Sequence, residues 1–273
     1  MADACRRRPV PRRWLLAVGA AVLLGEGCAG RDAADRSRAS LSGRGGGAAA
    51  SHGRLSARPQ ASASGRVRRG IHPLGIGRGR DGEFYLPTAY DPARPAPLAL
   101  WLHGAGSSAR VGAVLRRFAE RAGLLVVAPD SRGRTWDAVL GSWGPDLTFI
   151  DQALAQVFGR CAVDPARVAV AGFSDGASYA LSLALANGDL FTSALAFSPG
   201  FVPGAPRYGR PRLFVSHGTH DTVLPIDRTS RRIVPSLRRT GYDVRYREFD
   251  GGHTIPAQIE GEALAWMARP RVG

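Results

Sequence analysis

The stretch Arg167-Val168-Ala169-Val170-Ala171-Gly172-Phe173-Ser174-Asp175-Gly176-Ala177 reads as a strand that enters a helix through a very tight turn. Residues 168–171 are an unbroken apolar run of the length of a buried strand, and the Ala- and Leu-rich residues 176–186 suit a helix. Glycines stand on both sides of Phe173-Ser174-Asp175, where a Cβ would meet neighbouring backbone. Such a turn lifts the Ser174 hydroxyl above the sheet and sets it at a helix N-terminus, whose N–H groups favour negative charge. The pentapeptide by itself also suits an ordinary N-cap serine. Its strand-turn-helix setting is what makes it a nucleophile elbow.

Outward from this turn, the same alternation recurs. Apolar runs at 98–102, 124–128, 194–197 and 213–216 and a last strand at 244–249 are separated by helix-like stretches at 111–121, 147–159, 227–240 and 257–268. Repeated strand-helix units predict an α/β domain: a doubly wound, mostly parallel sheet with helices on both faces, its functional residues just beyond the carboxyl ends of strands. The 47 positions from Ser174 to Asp221 and the 32 from Asp221 to His253 are filled by these units, which leaves no room for a large lid domain.

A serine hydroxyl needs a base, and the base needs an orienting carboxylate. Asp221 closes His217-Gly218-Thr219-His220-Asp221 after the strand ending at Ser216, and His253 closes Asp250-Gly251-Gly252-His253 after the strand ending at Phe249. The order Ser174, Asp221, His253 is the one this fold uses. Asp227 is the competing helix cap and Asp250 the competing carboxylate near the base; both are less well placed relative to a strand end. Reading His217 and His220 as metal ligands fails for want of a third and fourth ligand at suitable spacing, so no metal site is expected. Leu102-His103-Gly104-Ala105-Gly106-Ser107 follows another strand, and its glycines leave backbone N–H groups free to face a carbonyl. The expected oxyanion donors are the N–H groups of Ala105 and Asp175. A phosphate-binding loop is the competing reading, but the G-K-[ST] ending is missing. His103, Trp136, Trp143 and Phe201, in loops after strands, are the candidate substrate-binding side chains.

With these motifs in order, the chain resembles the small bacterial phospholipase/carboxylesterase class of α/β-hydrolases, which includes acyl-protein thioesterase-like and polyester-depolymerase-like esterases. The resemblance spans residues 71–269 and implies a serine esterase working through an acyl-enzyme, without metal or organic cofactor. In such families the residue after His-Gly supplies an oxyanion N–H, which maps to Ala105; many relatives carry a bulkier residue there. The resemblance does not specify the substrate. Small or medium acyl esters lead, polyester or feruloyl-type ester depolymerisation is the alternative, and a non-catalytic binding protein on the same fold is the third reading.

The chain carries 37 basic and 22 acidic residues, and every basic one is arginine. The excess lies in residues 1–80, with 16 arginines against 4 acids, rather than on the folded part. No basic helix or aromatic platform accompanies it, so no nucleic-acid partner is expected. Arg6, Arg7, Arg8, Arg12 and Arg13 precede an apolar run at 14–24 that is followed by small residues. Eleven residues are too few for a membrane span, which needs about 20, so 1–29 reads as an export signal, twin-arginine or general, with Cys28 as the acylated membrane tether if it is a lipoprotein signal. The protein is accordingly expected outside the cytoplasm. Residues 30–70 are Ala, Gly, Ser and Arg with almost no large apolar side chain and read as a disordered tether. The catalytic domain is then 71–273.

Overall fold

The apolar runs are strands buried on both faces. In the computed structural model, which describes residues 52–60, 67–204 and 206–269, β1 (Gly70–Pro73), β2 (Gly82–Leu86), β3 (Ala96–Leu102), β4 (Leu125–Pro129), β5 (Val163–Phe173), β6 (Ser193–Phe197), β7 (Arg212–Gly218) and β8 (Val244–Phe249) form one sheet in the order β1-β2-β4-β3-β5-β6-β7-β8. The strands from β3 onwards pair in parallel; β1 and β2 are antiparallel to each other, and β2 to β4. The connecting helices are α1 (Ala113–Ala122), α2 (Pro145–Arg160), α3 (Asp175–Ala186), α4 (Ser230–Arg239) and α5 (Ala257–Ala268). The sequence reading omitted β1 and β2, because GIHP and GEFYL are short, open on glycine and lack a continuous apolar run.

Strand alternation builds two cores. Leu98, Leu100 and Leu102 of β3 and Val168 and Val170 of β5 face α2, α3 and α4, whereas Ala99, Ala169 and Ala171 face α1 and α5. Burying each leucine of this row stabilises the fold by about 2 kcal/mol. With helices on both faces and strands running the same way, the carboxyl ends of β3, β5, β7 and β8 share one edge. The loops carrying Ala105, Ser174, Asp221 and His253 therefore meet there.

At the N-terminal boundary the structure corrects the sequence reading. Residues 1–51 and 61–66, with the export segment and Cys28, lie outside the described residues. Residues 52–60, assigned above to the tether, are instead docked on the domain. Leu55 is buried; its N–H donates to Asn187 Oδ1 at 2.8 Å, and Asn187 Nδ2 donates to the Gly53 carbonyl at 2.8 Å. Asp151 on α2 accepts from the Ser56 and Ala57 N–H groups, both at 2.8 Å. Arg54 grips both oxygens of Asp189 at 2.7 and 2.8 Å, and Arg58 adds a third contact at 2.6 Å. Composition hides this docking because one leucine and three side chains about a hundred positions downstream produce it.

The Asp189 carboxyl is held well below the ordinary carboxylate range by the Arg54 hydrogen bond, against partial burial and with help from Arg58. A depressed carboxyl contributes stability above its unfolded value of about 4 and loses it as the pH falls toward the folded value. Both partners are partly exposed, so the clamp contributes about 1 kcal/mol. Asp189→Asn therefore lowers the melting temperature by about 2–4 °C at neutral pH, and the gap to wild type narrows below about pH 4. Equal melting temperatures at pH 7 would contradict the clamp.

Candidate active site

The turn between β5 and α3 is packed to the limit of what backbone allows. A Cβ on Gly172 would fall on the Gly176 carbonyl, and one on Gly176 would fall on the Leu102 and His103 carbonyls. Between them Ser174 takes φ 56° and ψ −121°, a region that L-residues occupy only when the surroundings hold them there. The holding contacts include its own N–H, which donates to the Phe197 carbonyl of β6 at 2.9 Å, and its carbonyl, which accepts from Ala177 and Ser178 as α3 begins. The hydroxyl is thus raised at the head of the helix.

His253 Nε2 lies 2.8 Å from Ser174 Oγ, and His253 Nδ1 lies 2.6 Å from Asp221 Oδ2. A carboxylate only accepts, so Nδ1 carries the proton and the Nε2 lone pair faces the serine O–H. A Cβ on Gly218 would fall on the Gly251 and Gly252 carbonyls; that close approach, with Thr219 N–H donating to Phe249 O and His220 N–H to Gly251 O, both at 2.9 Å, ties the loop after β7 to the loop after β8. Asp221 Oδ1 accepts from the Val223 and Leu224 N–H groups at 2.9 and 2.8 Å. Burial would raise the Asp221 carboxyl, but the Leu224 N–H, the His253 contact and the Val223 N–H together hold it below the ordinary carboxylate range. The competing carboxylates are engaged elsewhere: Asp250 with His220 at 3.0 Å on the surface, and Asp227 with Arg231 at 2.7 Å. Among the described residues no group of three or more His, Cys, Asp or Glu is placed to hold a metal.

In the loop after β3, the Gly106 N–H donates to the Arg134 carbonyl at 2.7 Å and the Ser107 N–H to the Gly104 carbonyl at 3.2 Å. The Ala105 N–H has no partner among the described residues, and the Asp175 N–H, in the first turn of α3, has no helical acceptor behind it. His103 and Trp136, expected to touch substrate, support this loop from beneath instead. Trp136 is fully buried and donates Nε1–H to the His103 carbonyl at 2.8 Å. His103 Nδ1–H reaches the Gly104 carbonyl at 2.8 Å while Nε2 accepts the Ser131 N–H at 3.0 Å. Burial pushes the His103 imidazole below its usual range, against the Gly104 carbonyl and Asp130. Both were placed by loop position, which cannot distinguish an outward ring from one folded under the loop.

Trp143 and Phe201, with Val139 and Pro203, line a cleft of about 170 Å³ whose lining includes none of Ser174, Asp221 and His253. Trp143 also packs on Tyr179, centroids 5.0 Å apart, and Phe201 is exposed. Two neighbours of the site went unread in the sequence. Phe173 stacks on the His253 ring with centroids 4.7 Å apart, and Thr135 Oγ1 donates to the Asp175 carboxylate at 2.6 Å. Phe173 sits within the pentapeptide, and its adjacency to the serine was the available signal; nothing local marked Thr135.

The sequence model of the family described as "Putative esterase" matches residues 75–235. Feruloyl esterase C of Emericella nidulans is 30% identical over 159 residues, which cover 55% of this chain and 57% of that protein. The probable feruloyl esterase C of Aspergillus niger is 27% identical over 168 residues, 58% of this chain and 60% of that one. The chain thus spans little more than half the length of these curated relatives. The crystal structure of esterase PE8 superposes with a TM-score of 0.54 at 25% identity, over 67% of this chain and 95% of that one. The sheet order, the elbow and these matches together identify an α/β-hydrolase fold, and the chain belongs to the esterase family that the matching model describes.

Proposed function

We propose that the chain hydrolyses carboxylic esters by two-step acyl transfer, with Ser174 as nucleophile, His253 as general base and then acid, and Asp221 as the carboxylate that orients His253. The observation that carries this is the continuous hydrogen-bonded chain from Ser174 Oγ through His253 to Asp221, at 2.8 and 2.6 Å. His253 takes the serine proton as Oγ attacks the ester carbonyl, and the resulting imidazolium faces a carboxylate that is already charged. The Ala105 and Asp175 N–H groups are the donors for the oxyanion; removing one such donor in a site of this kind costs about 2.7–4 kcal/mol of transition-state stabilisation. His253 returns the proton to the leaving alkoxide, and water, deprotonated by the same imidazole, releases the acid. The family match and the esterase relatives support the same reading.

Bulky aryl esters of the feruloyl type are the favoured substrates within this class. The observations behind that choice are the two feruloyl esterase relatives and the cleft that Trp143 and Phe201 line, with Leu140 and Val223 also exposed beyond the ends of β4 and β7. On a panel of soluble esters, kcat/KM for hydroxycinnamoyl esters exceeds that for acetyl esters about tenfold or more; a preference for acetyl esters would contradict the aryl reading and leave the serine mechanism standing.

Ser174→Ala removes one oxygen from a fixed turn and with it the covalent route, so the rate falls by about 10³-fold or more while the melting curve is retained; His253→Ala is about as severe, and Asp221→Asn milder. A Ser174→Ala protein keeping more than about a tenth of the rate, a loss under ~1.4 kcal/mol, would rule out Ser174 as nucleophile.

The base must be neutral to take the serine proton, so the rate against a fixed ester drops on acidification. Asp221 is held below the ordinary carboxylate range and so stays charged above that range. A rate that is flat from about pH 5 to 8 would contradict a histidine base.

A further inference from the structure

A second histidine stands behind the proposed triad. His217, near the end of β7, is fully buried, as is the Asp221 side chain. Its Nε2 lies 2.8 Å from the Leu224 carbonyl and 3.2 Å from Asp221 Oδ2, the same oxygen that His253 approaches from the other side. Its Nδ1 lies 2.7 Å from Ser230 Oγ, in the first turn of α4. A carbonyl only accepts, so Nε2 carries the proton. Nδ1 is then the acceptor for the Ser230 O–H in the neutral ring, and burial pushes His217 below the usual imidazole range, against the pull of Leu224 and Asp221. The charged and titratable groups facing it from the neighbouring elements are Asp221, His253 and, opposite in the β7–β8 register, Glu248, which is itself paired with Arg231.

This places one neutral N–H where it acts on both oxygens of Asp221. It holds the Leu224 carbonyl, and the N–H of that same residue holds Oδ1; it also lies against Oδ2 beside the His253 proton. We propose that His217 is a positioning residue for Asp221, fixing the carboxylate so that Oδ2 points at His253 Nδ1, with the Leu224 carbonyl selecting the tautomer that does so and Ser230 holding the ring in place. The inference rests on the triad reading given above and adds a fourth residue to it.

The test compares His217→Leu, which has no donor, with His217→Gln, whose Nε2 amide is a neutral donor of similar reach, in the full chain and against one soluble aryl ester. Losing a hydrogen bond to a charged group costs about 10–100-fold in rate. The expected result is a kcat loss of that order in His217→Leu with KM within about twofold, and recovery to within about threefold of wild type in His217→Gln. The acid limb of the rate profile moves to lower pH in the leucine variant alone, because a loosely held Asp221 stabilises the charged imidazole less. The low-field proton resonance of the His253 Nδ1–H shifts in the leucine variant and not in the glutamine one. Equal kcat in the two variants, or a wild-type kcat and pH profile in His217→Leu, would overturn the proposal. If His217→Leu does not fold, Ser230→Ala decides: a lowered kcat with a retained melting curve supports it, and an unchanged kcat refutes it. Ser174→Ala assayed alongside separates the readings. An active Ser174→Ala protein sinks the triad itself, whereas an inactive one with indifferent His217 variants sinks only this inference.

Discussion

Nothing larger than hydrogen fits at Gly172 and Gly176, because α3 begins in van der Waals contact with the ends of β5 and β3. That approach fixes almost everything else at the carboxyl edge of the sheet. It holds Ser174 in a positive-φ conformation, from which Oγ meets His253 Nε2 at 2.8 Å. It also sets the Leu102-His103 backbone against the start of α3, so the loop after β3 and the Ser174 turn share one rigid contact rather than two flexible ones. The strain at such a residue costs about 1–3 kcal/mol and persists only because the surrounding strands over-determine it. Ser198, the other non-glycine residue with positive φ among those described, follows the adjacent strand β6.

Electrostatics at this edge follow from who is buried and who holds whom. Asp221 is kept charged in a buried place because two backbone N–H groups and His253 oppose the cost of burial, and the loop that supplies them is in turn tied to β8 by backbone hydrogen bonds. His103 and His217 are both neutral buried rings that hold backbone carbonyls, one under the loop after β3 and one beside Asp221. Three histidines near one site thus have three different sets of partners. Only His253 reaches the serine.

Much of this was readable in the chain because its signals are local. A buried parallel strand is an apolar run, a nucleophile elbow is a spaced pair of glycines, and residues after strand ends fall on one edge by topology; Ser174, Asp221 and His253 each follow from those rules. The antiparallel strands β1 and β2 were illegible because short, glycine-opened segments look like loops. The docking of residues 52–60 was illegible because it depends on Asp151, Asn187 and Asp189, far off in sequence. His103 and Trp136 were located correctly on the loops but given the wrong direction, since the rotation of a side chain around a loop is a tertiary fact. Phe173 was hidden in plain view: the residue just before the serine packs against the His253 ring.

Covalent acylation of Ser174 is made visible by mixing the protein with a chromogenic aryl ester, quenching in acid within milliseconds and measuring intact and peptide masses. The expected result is a transient mass increase from the acyl group that replaces the serine hydroxyl proton, confined to the peptide containing Ser174 and appearing together with a burst of released phenol. Turnover without any acylated species, in a protein where deacylation has been slowed by a hindered acyl group, or acylation on a different residue, would contradict it.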